Sequence, residues 1–362
     1  MTVLEPYHAE HGAVFDERTG RRLPRHYGRP ERTHLAVRNA VGITEMAYGV
    51  LVVTGEDRLE YVDNAVSNRV PDADGEGCYA LLCDPQGRIE HDLYVYNAGE
   101  RLLVFAPPGH AEGLAAEWRE KTFIQDVAID VATDEMAVLG VHGPNATEKI
   151  ASVLNNAGAP EGELVFDRGS IHDVGVTVIA GDDPTGEDSY EVVCAADEAE
   201  TVLDTLIVHG QNAIPFGTRT WETLTLEAGT PLFDTELEGR LPNVLGLRNA
   251  VDFEKGCFVG QEVISRVENR GQPSGRLVGL RCEALPEPGA AVFADDRSVG
   301  EVTRAVESPS LEAPIALAVV EVDLEVADLA VRVDGEEVGA DGADLPFVEG
   351  SGRSARLPAY AE

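Results

Sequence analysis

Lysine is almost missing from this chain, which has three in 362 residues: Lys121, Lys149 and Lys255. Basic charge of any kind is scarce, since Lys+Arg 28 stand against Asp+Glu 65 for a formal net charge of -37. Binding to nucleic acid rests mainly on Lys and Arg neutralising phosphates, so the lack of a basic stripe excludes a direct nucleic-acid partner. No apolar run reaches the roughly 18 residues of a membrane-crossing helix, and the N-terminus has neither the basic nor the apolar stretch of a secretory leader. The expected location is therefore cytoplasmic, with no membrane partner. Cysteine is sparse as well. Cys78, Cys83, Cys194, Cys257 and Cys282 form an odd set in a chain too long to need disulfide staples, and reduced thiols are expected. Cys78 and Cys83 lack a second pair or a nearby histidine to complete a tetrahedral zinc site, so no metal is expected. Gly-x-Gly-x-x-Gly, Gly-x-x-x-x-Gly-Lys-Ser/Thr, His-Glu-x-x-His and Gly-x-Ser-x-Gly are absent, which argues against nucleotide, metalloprotease and α/β-hydrolase chemistry.

What is present is a full set of core-building residues. Hydrophobic side chains make up 43% of the chain and recur in runs such as Val50 to Val53 and Leu102 to Phe105, so the acids belong to a folded protein. Carboxylates in such excess repel one another in dilute salt, whereas at molar salt the screening length falls to about 3 Å. A high-salt cytosol is the setting this composition predicts, and the near-absence of lysine fits it.

The pattern along the chain predicts an α+β protein. An N-terminal α+β domain is expected over 1–130, with strands at Val50 to Thr54, Arg88 to Tyr96 and Leu102 to Ala106 and a helix at Glu112 to Lys121. Over 131–272, strands at Ala137 to His142, Val174 to Ala180 and Tyr190 to Cys194 alternate with helices at Asn145 to Asn155 and Ala196 to His209. That order suggests helices on one face of an antiparallel sheet. Another helix is predicted at Phe216 to Glu227. Short strands punctuated by Gly, Pro and Asp over 273–350 predict a small barrel, and 351–362 reads as a frayed tail.

Four places carry candidate chemistry. Lys255-Gly256-Cys257-Phe258-Val259-Gly260-Gln261-Glu262 sets a rare lysine two residues before a cysteine, and a nearby cation can lower a thiol's pKa. The same residues also fit an inert cysteine packed in a turn. In the strand 89–96, Ile89, His91, Leu93 and Val95 share one face, while Asp92 shares the other with Glu90, Tyr94 and Tyr96. That second face is either solvated or the wall of a pocket. Tyr190 and Glu191 point to opposite sides of their strand, so one of them faces inward. An inward Glu191 would need N-H donors. Arg219, near the start of a predicted helix, could hold a carboxylate or form a surface ion pair.

Taken in order, His26-Tyr27-Gly28, Val41 to Met46, Gly87 to Tyr96, Leu139 to Ala146, Thr185 to Glu191 and Arg219 to Gly229 resemble the folate-binding superfamily of the glycine-cleavage T-protein, the aminomethyltransferase. The resemblance covers roughly residues 26 to 345 and implies three domains around a central folate-binding opening, with a ferredoxin-like α+β middle and a C-terminal β-barrel. It implies that tetrahydrofolate or a one-carbon derivative is bound, with Asp92 at its reactive edge and Glu191 and Arg219 as cofactor-binding residues. Lys255 to Glu262 resembles the Lys-Gly-Cys-Phe/Tyr-x-Gly-Gln-Glu signature of the YgfZ-type branch, in which Lys255, Gly256, Cys257, Phe258, Gly260, Gln261 and Glu262 occupy the fixed positions. That branch serves iron-sulfur cluster assembly or repair, which implies iron-sulfur client or assembly proteins as partners and Cys257 as a functional thiol. The alternative is aminomethyl transfer from a lipoyl carrier protein to tetrahydrofolate with release of ammonia. His91 stands where T-proteins usually carry a second aspartate.

Overall fold

The computed structural model describes residues 2–18 and 21–360. Three large β units meet in it, beside a small two-stranded sheet of Val14–Arg18 and Arg21–His26. A five-stranded antiparallel sheet runs in the order Glu76–Cys83, Ile89–Asn97, Arg101–Ala106, Gly49–Thr54, Ala128–Val131. A six-stranded sheet runs Phe166–Ile171, Val174–Ala180, Ser189–Ala195, Met136–His142, Gly42–Glu45, Ile214–Pro215, antiparallel apart from the last pair. Gly275–Cys282, Ala313–Glu321, Arg297–Ser308, Ala291–Ala294, Leu329–Val333 and Glu336–Ala343 close into a six-stranded barrel. The expected α+β fold with a C-terminal barrel is what the chain forms.

The period of two in each strand decides which face meets which neighbour. In Ile89–Asn97, Leu93 and Val95 pack with Val62, Leu114 and Trp118 beneath the helices Arg58–Ala65 and Ala111–Lys121. Tyr94 and Tyr96 point the other way. In the six-stranded sheet, Leu139, Val141 and Val192 pack under the helices Ala146–Val153 and Ala199–Val208. The opposite face contributes Val138, Ile179 and Val193, which join Tyr94 and Tyr96 and the barrel residues Leu277, Ile315 and Leu317 in one contiguous core. Both sheets are therefore covered on both sides. Tyr190 and Glu191 are both buried, so the expectation that only one of them faces inward does not hold.

Two expectations about organisation are corrected. The linear division at residue 130 fails because Gly42–Glu45, from the first segment, pairs with Met136–His142 inside the six-stranded sheet, and Leu4 and Tyr7 belong to that sheet's core. The chain starts on one unit, builds the next, and returns. Nor is the segment after 350 frayed. The Tyr360 hydroxyl accepts from the Leu277 amide at 2.7 Å and donates to the Val244 carbonyl at 3.0 Å. Ser351, Ser354 and Arg356 are buried, and residues 361–362 lie outside the described range. This segment has no hydrophobic period to read, because its order comes from contacts with distant parts of the chain.

Candidate functional site

A cavity of about 190 Å³ opens where the three units meet. Asp92 and Tyr94 of the strand Ile89–Asn97 form one wall. Thr44 to Tyr48 form a second wall, Thr218 and Trp221 of the helix Thr218–Glu227 a third, and Phe233 to Thr235 a fourth. Phe233–Leu237 is a single π-helical turn, a distortion found mostly at functional sites. Gly140 lets the second wall come close, since a Cβ there would meet His142 Nε2 at 2.5 Å and Met46 Sδ at 2.9 Å.

Asp92 lies at the cavity wall, with its side chain 12% exposed. Its Oδ2 accepts from the Tyr79 hydroxyl at 3.1 Å and lies 3.8 Å from Arg356 Nη1. Burial raises its pKa, against the lowering pull of Arg356 and of the Tyr79 hydrogen bond. Arg356 arrives from the C-terminal segment, stacks over the rings of Tyr79 and Tyr94, and sets Nε 2.9 Å from Asp182 Oδ2. The other oxygen of Asp182 accepts from the Tyr94 hydroxyl at 2.9 Å. Burial disfavours the charged guanidinium, but Asp182 beside it holds the Arg356 pKa well above the ordinary value.

Glu191 lies one step behind the cavity wall. Its Oε1 accepts from the Tyr48 hydroxyl at 2.6 Å, and Tyr48 itself lines the cavity. Its Oε2 is buried and has no hydrogen-bond partner among the described residues. Burial pushes its pKa up to about 7, the Tyr48 hydrogen bond notwithstanding. Asp92, Asp182 and Glu191 thus share one guanidinium, because the cavity's second arginine, Arg304, already pairs with buried Glu236 at 3.4 Å. Burial in this low-dielectric interior favours the protonated forms of Asp92 and Glu191. The arrangement can hold a proton beside a ligand and accept N-H donors from one.

Arg219 is not part of this set. It is on the exposed side of its helix, half exposed and paired with Glu31 at 3.2 Å, while its neighbour Thr218 lines the cavity. The two arginines that do reach the cavity, Arg304 on a barrel strand and Arg356 in the last segment, are ones sequence reasoning missed. So are Asp182, Tyr48 and Tyr79. A tyrosine-rich strand face beside Asp92 was the one local hint. His91, on the other face, packs against His110 and Phe233, and burial lowers its pKa to about 4.

The motif Lys255 to Glu262 has a different geometry, and the idea that Lys255 activates Cys257 fails. Lys255 is buried. Its Nζ donates to the carbonyls of Asp63, Val66 and Asn68 at 2.6, 3.0 and 2.7 Å, capping the C-terminal end of the helix Arg58–Ala65. Its charge is spent on those carbonyls and on Asp63. Phe258 is anchored in the central core, and Gln261 Nε2 donates to the Lys255 carbonyl at 3.2 Å. Gly260 has φ 85° and sits where a Cβ would meet the Asp84 carbonyl oxygen at 2.7 Å and Gly87 Cα at 2.8 Å. That close approach locks the loop onto the turn before the Asp92 strand. Glu262 pairs with Arg266 on an exposed helix face. Gly256 and Cys257 are left facing solvent, and Cys257 is the one exposed thiol among five free cysteines. The loop is a built platform that displays a thiol. Among the described residues, no group of three or more His, Cys, Asp or Glu could hold a metal ion, and no helix is long and apolar enough to cross a membrane.

Comparison with known proteins places this architecture. Residues 4–255 match the GCVT N-terminal domain and residues 276–349 the glycine cleavage T-protein C-terminal barrel domain. Cys257 to Glu262 fall between the two matched stretches. The chain is 31% identical to an aminomethyltransferase of Cutibacterium acnes, over 97% of this chain and 98% of that one. It is 30% identical to an aminomethyltransferase of Bacillus subtilis, over 92% and 94% of the two chains. Glycine cleavage system aminomethyltransferase T from Bartonella henselae superposes with a TM-score of 0.84 at 25% identity, covering 96% of this chain and 97% of that one. Matched end to end by both domains and by whole-length relatives, the chain belongs to the glycine cleavage T-protein family.

Proposed function

We propose that this protein is a folate-dependent aminomethyltransferase that passes the methylene of an aminomethyl group, carried on a lipoyl protein, to tetrahydrofolate and releases ammonia. The observation that carries this reading is the partly desolvated Asp92 carboxyl at the wall of a central cavity, in a chain whose relatives bear that activity along their whole length. The cavity fits the ring end of a folate. It is smaller than the ~300–1,000 Å³ that takes a whole drug-sized ligand, and behind it the orphaned Oε2 of Glu191 calls for an N-H donor. The Tyr48 hydroxyl holds the place beside Glu191 that such a donor would share, and Arg356 secures the neighbouring Asp182. The resemblance implies Arg219 as a further cofactor-binding residue, and its helix lines the cavity, but its side chain is half exposed and paired with Glu31.

The chemistry defines what the chain must supply. The aminomethyl carbon leaves sulfur and nitrogen to bridge two folate nitrogens, whose two N-H protons end on the released ammonia and on the lipoyl thiol. A proton carrier is needed at the edge of the ring, and Asp92 is the group with the burial and exposure for that work. Tyr79 and Arg356 orient it and keep its proton exchangeable.

A second reading rests on the displayed thiol. The exposed Cys257 on a rigid loop supports the YgfZ-type branch, in which the folate stays bound and the thiol serves iron-sulfur client or assembly proteins. In both readings the protein works in the cytoplasm at high salt, supported by the formal charge of -37. Incubation with an aminomethyl-loaded lipoyl carrier and tetrahydrofolate in molar salt separates the two. Ammonia release with methylenetetrahydrofolate formation is the expected result. Tight folate binding without turnover would leave only the second reading.

A further inference from the structure

Outside the central cavity, the most exposed large apolar side chains of the described residues sit side by side. Phe123 is 86% and Ile124 93% exposed, and the next, Val208, is 59%. They occupy the turn after the helix Ala111–Lys121, and this turn is pinned. The Asp126 amide donates to Asp57 Oδ2 at 2.8 Å and the Asp57 amide to the Asp126 carbonyl at 3.2 Å. Ile124 helps to line a groove of about 470 Å³ together with Tyr61, Leu82, Trp118 and Val259. Val259, itself 44% exposed, comes from the loop that displays Cys257. A pinned turn that exposes two large apolar groups beside an apolar groove marks an interaction surface.

Charge selects the occupant. Asp57 and Glu60 line the groove, and Glu120 and Asp126 are exposed beside it. The cations here are committed: Lys121, which also lines the groove, pairs with Glu117, Arg58 donates to the carbonyls of Gly55 and Gly99, and Arg119 to that of Ile129. A second copy of this chain seated here would set acid directly against acid, and an anionic lipid surface would do the same, at contact distances that even the ~3 Å screening length of molar salt does not shield. We propose that this groove and the Phe123-Ile124 turn dock a partner protein through a segment that presents apolar side chains flanked by arginine or lysine. The proposal stands apart from what the cavity and Cys257 do, because it rests on exposure, a groove and charge alone.

The test uses the full chain and a labelled short peptide with two leucines between arginines, followed by fluorescence anisotropy. Control peptides carry glutamate for arginine or serine for leucine. Saturable binding of the first peptide is expected, with both controls at least about tenfold weaker. The double variant Phe123→Ser/Ile124→Ser should bind about tenfold more weakly with its melting temperature kept, since both side chains face solvent. Asp57→Asn with Glu60→Gln should weaken binding about threefold and flatten its dependence on salt. Binding unchanged in the Phe123→Ser/Ile124→Ser variant, equal binding of the glutamate-flanked peptide, or no binding would overturn the proposal. So would a dimer in sedimentation that the same variant disperses, because the groove would then belong to a second copy.

Discussion

The buried centre and the motif loop treat charge in opposite ways. At the centre, Asp92, Asp182 and Glu191 are packed around Arg356 with too little positive charge to satisfy them. In the loop, Lys255 is fully occupied by backbone carbonyls and the reactive-looking atom, the sulfur of Cys257, is left in solvent. An unbalanced interior is expensive to maintain and persists where a ligand completes it. A balanced one is architecture. The comparison teaches that the residue which stands out by rarity, Lys255, is structural, while the ordinary-looking acid Asp92 has the perturbed environment.

The largest expected effect breaks the comparison on the side of chemistry. Asp92→Asn should lower aminomethyl transfer by about 10²–10⁴-fold, the usual contribution of a positioned acid-base group. Tetrahydrofolate affinity should change far less, so calorimetry beside turnover tells loss of catalysis from loss of binding. If Cys257→Ser cost as much turnover as Asp92→Asn, the roles assigned to the two regions would be reversed.

Lys255→Met tests the architectural side. It strips three backbone carbonyls, one buried and two partly buried, of their donor, and unfolding should become easier by about 3 kcal/mol, measured by denaturant titration in molar salt. Tetrahydrofolate affinity of the chain that remains folded should stay within a few-fold, since Lys255 does not reach the cavity.

The acidity of Glu191 gives a pH handle of similar size. Its pKa is pushed from 4.5 up to about 7 in the folded chain, so the folded state holds a proton there that the unfolded state releases. Stability is therefore lost as pH rises from about 4.5 to about 7 and is not recovered above it. Glu191→Gln removes that dependence and should flatten the stability profile by about 3 kcal/mol across this window. It should also weaken folate binding, because the amide retains one acceptor but no charge. An unchanged profile would mean that Glu191 is ionised throughout.

The smallest effect sharpens the contrast. Cys257→Ser, at an exposed position, should change stability by less than about 0.5 kcal/mol and leave aminomethyl transfer intact. Loss of iron-sulfur enzyme activities in cells that carry this variant would establish the second function of the loop.

How far the sequence can be read differs between the same two regions. Asp92 was legible as a candidate because a strand alternates strictly, which places it with Tyr94 and Tyr96 on one face. Whether that face met water or a cavity was not legible, since the answer lies in the barrel and the C-terminal segment that cover it. Arg356 follows an aperiodic stretch rich in Gly and Ser, which carries no local signal. Its place is decided by Tyr79, Tyr94 and Asp182, all more than a hundred residues away. Arg219 shows the reverse failure. It has a strong local setting on a predicted helix, yet the rotation of that helix turns it toward Glu31 and solvent.

The octapeptide could be singled out by composition alone, but its meaning could not. Helix and strand periods, the glycine and proline punctuation and the acid excess are local properties of the chain, and they determined the α+β class, the barrel and the acidic surface. Which carboxyls lose water, which arginine they share and whether a lysine touches a thiol or a helix end depend on contacts between segments far apart in sequence. Those were decided only when the three units closed on one another, because desolvation and Coulomb energy act through space and not along the chain.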